Sequence, residues 1–92
     1  MTKPRITWDD VKAEQNVLDH GVTFEEAETV LESPLSAWTE DGGRGEERMN
    51  VVGYSNQGRV LFVVTIEQHE DHFHIISARK ATRHERKNYQ NR

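Results

Sequence analysis

Hydrophobic and polar positions divide the chain into short elements with readable ends. Ile6-Thr7-Trp8 is an apolar segment, and Asp9 after it can cap the free N–H groups of a helix running to about His20. Gly21 follows where a left-handed residue closes a helix. Val11 and Leu18 lie seven apart on one face of this helix, beside a polar stripe of Lys12, Asn16 and Asp19. Thr23 and Glu26 have capping-box spacing, with Val22 placed to staple onto Ala27. Phe24, Ala27, Val30 and Leu31 then form an apolar helical stripe, and Pro34 stops the helix after Ser33.

Residues 40–47 (EDGGRGEE) are charged, glycine-rich and without periodicity, and read as a loop. Three β segments follow, at about 48–54, 59–67 and 72–78. Ser55 to Gly58 forms the hairpin turn between the first two, and Gln68 to Asp71 joins the next two. Val60 to Val64 is apolar at consecutive positions, which predicts a strand inside the sheet with both faces covered. Thr82 and Glu85 form a second capping box for a last helix carrying Arg83, Arg86, Lys87 and Tyr89. The order β-α-α-β-β-β-α, with a short strand possible at 37–39, predicts a single α+β domain over residues 1–92. Its curved antiparallel sheet would carry two N-terminal helices and one C-terminal helix.

Composition narrows the function classes. The apolar run at Val60 to Val64 is the longest, far below the roughly 20 residues that span a bilayer, and the N-terminus has no apolar signal region. The expectation is a soluble, cytoplasmic protein without membrane contact. The absence of Cys excludes disulfides, thiolate metal sites and a Cys nucleophile. The 92 residues carry a net charge of −4, but the halves differ. Residues 1–47 hold 4 bases and 12 acids, and residues 48–92 hold 8 bases and 4 acids, so −8 faces +4. Six of those eight bases fall in the last 14 residues, a basic end suited to phosphate or an acidic partner. A solvated C-terminal helix would show the same composition.

The strongest chemical feature is Ser77-Ala78-Arg79-Lys80-Ala81-Thr82-Arg83, where a strand runs out into a basic helix. Guanidinium groups fixed at a strand end grip phosphate bidentately. Arg59 and Arg48 open two other strands. If both adjoin Arg79, the three line one anionic pocket; the alternative is that they pair with the acids of the first half. His20, at a helix C-terminus, is either a general acid or base or a helix cap, because imidazole ordinarily titrates near neutral pH. Glu67, ending the apolar strand, is either a partly buried carboxylate for proton transfer or an arginine's partner. His69, His72 and His74 invite a metal, but no carboxylate motif or second His pair completes a tetrahedral set, so no metal and no cofactor is expected. Gly42-Gly43-Arg44-Gly45 has no apolar strand before it and no helix after it, which excludes a phosphate-binding P-loop. Trp8, Trp38, Tyr54 and Tyr89 are scattered, as core or interface residues are.

Several stretches together resemble the BrnT family of bacterial type II toxins. They are Trp8-Asp9-Asp10-x-Lys12 with Asn16, His20 to Ala27 (HGVTFEEA), Glu46-Glu47-Arg48, Gly53-x-Ser55 with Gly58-Arg59, and Ile75 to Thr82 (IISARKAT) followed by Glu85 and Tyr89. They keep the family's order over about residues 6–89. The resemblance implies a RelE-like fold and a metal-independent endoribonuclease that inhibits translation. It also implies neutralisation by a BrnA-type ribbon-helix-helix antitoxin, in a 2:2 heterotetramer that touches operator DNA only through the antitoxin. On that resemblance the catalytic candidates are His20, Arg59, Glu67 and Arg79, and the RNA-binding candidates are Arg48, His74, Lys80, Arg83 and Tyr89. A non-catalytic module that holds an antitoxin is the other class compatible with these residues.

Overall fold

The computed structural model describes residues 3–40, 48–69 and 71–92. In chain order the elements are β1 (Arg5–Trp8), α1 (Asp10–His20), α2 (Phe24–Glu32), β2 (Ala37–Glu40), β3 (Arg48–Tyr54), β4 (Val60–His69), β5 (His72–Lys80) and α3 (Arg83–Gln90). The short strand expected near 37–39 is present. Most of the 40–47 stretch and part of the 68–71 connection lie outside the described residues.

The strands form one sheet in the order β1-β5-β4-β3-β2. β2, β3, β4 and β5 pair antiparallel, whereas β1 runs parallel to β5. The sheet is therefore mixed rather than wholly antiparallel, because α1 and α2 carry the chain from β1 across the sheet before the first hairpin begins. β4 is central, as its apolar run predicts.

Alternation along β4 assigns the two faces. Leu61, Val63 and Thr65 are fully buried beneath the helices, with Val51, Ile75 and Ala78 of the neighbouring strands and Val22, Phe24, Ala27 and Val30 above them. Trp8 joins this core edge-to-face on Phe24, with ring centroids 6.1 Å apart. Phe62, Val64 and Ile66 point to the opposite face and are only half-buried. α3 covers part of that face, where Tyr89 meets Tyr54 edge-to-face at 5.8 Å.

The helix ends follow local rules, with one exception. Asp9 accepts from Val11 and Lys12 N–H, and Gly21 closes α1 at φ 68°. Thr82 and Glu85 complete the capping box of α3 in both directions. At α2 only half of the expected box forms: Thr23 accepts from Glu26 N–H, but the Glu26 carboxylate turns away from the cap. It accepts from Ser55 Oγ at 2.6 Å and from Arg59 Nε at 3.0 Å, and a second Arg59 nitrogen, Nη2, bonds its other oxygen. Glu26 is only 3% exposed, so a bidentate guanidinium is the partner its charge requires.

Asn16 departs further from expectation. It is buried in place of lying on a solvated stripe. β1 ends at Trp8 opposite Ile75, and beyond that point β5 keeps β4 on one side but has no strand on the other. The Asn16 side chain takes the vacated place: Nδ2 donates to Ala78 O at 2.7 Å and Val22 O at 2.9 Å, and Oδ1 accepts from Ala78 N–H at 3.1 Å. One amide thus binds α1 to the sheet and to the α1–α2 connection.

Two stability measurements test these contacts. Asn16→Ala leaves three buried backbone groups unpaired and should cost about 3 kcal/mol in urea unfolding; a loss under 1 kcal/mol would contradict the clamp. Hydrogen bonding from Arg59 holds Glu26 below its ordinary pKa, more than burial raises it, with Ser55 also lowering it. The pair's stabilisation is therefore full above the unfolded carboxyl pKa near 4.5 and is lost as pH falls through the lower folded value. Glu26→Gln should be less stable at pH 7 and show a shallower acid limb.

Candidate functional site

The basic end forms where β5 passes into α3 beside the β3–β4 hairpin. The hairpin closes through Ser55 N–H to Arg59 O at 2.8 Å, with Gly58 at φ 79°, a conformation that favours glycine. Arg59, Lys80 and Arg86 line a cleft of about 290 Å³ together with Tyr54, Gly58, Val60 and Ala81. Among the described residues no carboxylate lines it. Tyr54 is 47% exposed, so an aromatic face and three cations share one opening. Arg59 spends Nε and Nη2 on Glu26, which also strengthens its hold on its own proton. Nη2 reaches Gly21 O as well, at 3.4 Å. That contact brings the exposed end of α1, with His20 as its last residue, against the arginine.

Arg79 lies next to this cleft but on the other face. It pairs with Phe62 across the sheet and stacks on that ring, 4.3 Å from guanidinium carbon to centroid. Glu85 receives both terminal nitrogens, at 2.8 and 2.9 Å. Hydrogen bonding from Arg79 is the main reason the Glu85 carboxyl is held below its ordinary pKa, with Thr82 assisting. The carboxylate that caps α3 therefore also orients the arginine.

The arginine triad expected from the sequence does not assemble. Arg59 turns to the helix-covered face and Arg79 to the opposite one. Arg48 begins β3 at the end away from the hairpin, opposite Ile66, roughly 20 Å along the strand from Tyr54. Glu67 pairs with Phe73 near the far end of β4, roughly 25 Å from Arg59. It is not brought together with His20. Tyr89 is 9% exposed, packs on Tyr54 and donates its hydroxyl to Leu35 O at 2.9 Å, so it anchors α3 and lies outside the cleft. Lys80 and Arg83 are exposed at the basic end, as expected.

His74 lies in the same cross-strand row as Ile66 and Arg48, away from the cleft. His74 Nδ1 and His72 Nε2 each bond the Thr7 hydroxyl at 2.9 Å. Burial pushes His72 below its ordinary pKa, and Arg5, His69 and His74 add to the shift. Among the described residues no group of three or more His, Asp or Glu side chains is arranged to hold a metal ion.

Two cleft residues, Arg86 and Tyr54, escape a reading of the sequence by motif. Arg86 stands three positions after Arg83, and helix phase does carry that signal once Thr82 fixes the start of α3. Tyr54 is exposed only because it ends a strand at the turn, which alternation does not reveal.

No curated protein matches the chain. The crystal structure of the Brucella abortus ribonuclease toxin BrnT has the same fold, with a TM-score of 0.69 and 23% identity, over 89% of this chain and 100% of that one. The family model described as "Ribonuclease toxin, BrnT, of type II toxin-antitoxin system" matches residues 8–85. That span takes in the buried clamp at Asn16, the Glu26–Arg59 pair and the Arg79–Glu85 pair, and the chain belongs to the BrnT family of ribonuclease toxins of type II toxin-antitoxin systems.

Proposed function

We propose that this chain is a metal-independent endoribonuclease that inhibits translation in the cytoplasm. A BrnA-type ribbon-helix-helix antitoxin neutralises it in a 2:2 heterotetramer that reaches operator DNA through the antitoxin alone. One observation carries the reading beyond the family: the cleft of Arg59, Lys80 and Arg86, open to solvent, rimmed by Tyr54 and lined by no carboxylate.

RNA phosphate enters as the ligand of those cations, and a base stacks on Tyr54. Cleavage without a metal needs three things. The 2′-oxygen must stand in line with the phosphorus, positive charge must meet the charge building on the phosphoryl oxygens, and protons must leave the 2′-hydroxyl and reach the departing 5′-oxygen. Lys80 and Arg86 supply charge, and Arg59 supplies it from a guanidinium pre-set by Glu26. His20 is the titratable side chain next to Gly21 and Arg59, and it carries one of the two protons. Glu67 is too distant to carry the other. Arg79 and Arg83 extend the positive surface along the leaving strand, while Arg48 and His74 mark where a longer RNA would run across the open face.

A second reading has an observation in its favour. Arg59 and Arg79 each already hold a carboxylate, which suits a module that binds its antitoxin without cutting RNA.

Cleavage of a labelled RNA in excess chelator separates the two. Wild type should cut. Lys80→Ala with Arg86→Ala should cut at least about a hundredfold more slowly, since a single lost charge-stabilising donor already costs on the order of 10² in rate. His20→Ala should slow the reaction on a similar scale and change its pH profile, while unfolding at the same urea concentration as wild type. Equal rates for all three proteins would remove the cleft from catalysis. RNA left intact by wild type would leave the binding module.

A further inference from the structure

The face of the molecule opposite in charge to the cleft also carries an opening. A groove of about 350 Å³ runs between α1 and α2, with Trp8, Phe24, Ala13 and Val17 giving apolar surface and Asp10, Glu14 and Glu25 around them. Asp10 and Glu25 stand in the first turns of their helices, where the helix dipole favours acids. Glu14 stands in mid-helix and has no such reason. Among the described residues no ion pair engages any of the three. Lys12, the one Lys or Arg of α1, does not line the groove.

Apolar surface continues from the groove onto the outside of α1. Val17 is 43% exposed, Leu18 80% and Val11 74%. Val11 and Leu18 are seven residues apart and so lie on one side of the helix, about a quarter turn round from the groove-lining Val17. Nothing else in the described structure leaves three large apolar side chains of one element in water. An apolar strip bordered by three unpaired carboxylates fits a ligand that is apolar along its centre and cationic at its margins. The long stems of Lys or Arg cover such apolar ground while their charges reach the rim, and the Trp8 indole is available to a cation.

We infer that the α1–α2 groove and the adjoining Val17–Leu18 surface form the docking site for an amphipathic segment of the antitoxin, with apolar residues flanked by Lys or Arg. This inference rests on the antitoxin reading above and adds the place and the chemistry of the contact. It puts the antitoxin on the acidic half of the molecule. The basic cleft, which such a segment would avoid, is left for RNA or for a separate acidic stretch of the same partner.

Titration of the full toxin with a purified BrnA-type ribbon-helix-helix antitoxin tests the inference. The variants are Glu14→Lys with Glu25→Lys, and separately Val17→Asp. All three positions are outside the core, so folding should be kept. Each variant should bind at least about tenfold more weakly than wild type, a typical loss for a central interface contact, and cleave RNA at the wild-type rate when free. The charge-reversed variant should lose the salt dependence of binding that wild type shows. Unchanged affinity in both variants would overturn the groove as the docking site while leaving the antitoxin reading standing. Failure of wild type to bind would overturn both. A wild-type dimer in sedimentation that Val17→Asp dissolves would make the occupant a second copy of this chain instead.

Discussion

Glu26 presents the constraint from which the site is built. A carboxylate buried to 3% exposure cannot be left without a partner. Its partner comes from 33 residues away in sequence, and the two together fasten the first turn of α2 to the β3–β4 hairpin. Ser55 serves the same oxygen from inside the turn. The guanidinium so fixed extends to the carbonyl at the end of α1. One ion pair therefore gathers the ends of two helices and one hairpin at the place where β5 delivers Lys80. The Asn16 amide acts in parallel on the other side, supplying β5 with the hydrogen bonds that β1 is too short to give.

Features legible in the sequence are those set by neighbours within a few residues. Asp9, Gly21, Thr82 with Glu85, and the Ser55–Gly58 turn act over one helical turn or less, and each stands where local rules put it. The Phe24, Ala27, Val30 and Leu31 stripe and the central position of β4 follow from periodicity alone. Where local reading failed, a distant group had a stronger claim. Glu26 has capping-box spacing, yet Arg59 outbids the cap for its carboxylate. Asn16 has the phase of a solvated stripe, yet two backbone groups of Ala78 are free to take it. Direction was the other hidden quantity. Arg59 and Arg79 both sit at strand ends, and only the pairing register reveals that they face opposite sides of the sheet. Tyr54 and Tyr89 exchange roles for a similar reason: α3 crosses the open face so as to bury Tyr89 and leave Tyr54 at the rim.

The uneven charge of the two halves maps onto space. The acidic half supplies α1 and α2, which cover one face of the sheet. The basic half supplies the strand-to-helix junction at the hairpin end. The two regions therefore act with opposite sign on charged molecules that approach. A small domain carries two oppositely charged regions in this way without a second core.

The Arg79–Glu85 pair has a bearing on which anions the basic end will accept. Any anion that takes both terminal nitrogens of Arg79 must compete with a carboxylate that is already bidentate and already part of a helix cap. A lone carboxylate or small inorganic ion offers the guanidinium nothing it lacks, and the exchange yields no net gain. A chain of phosphates differs, since it can engage Lys80, Arg83 or Arg86 at the same time as it competes for Arg79. The internal pair therefore sets a threshold at Arg79, which charges linked in series meet more readily than a single charge does.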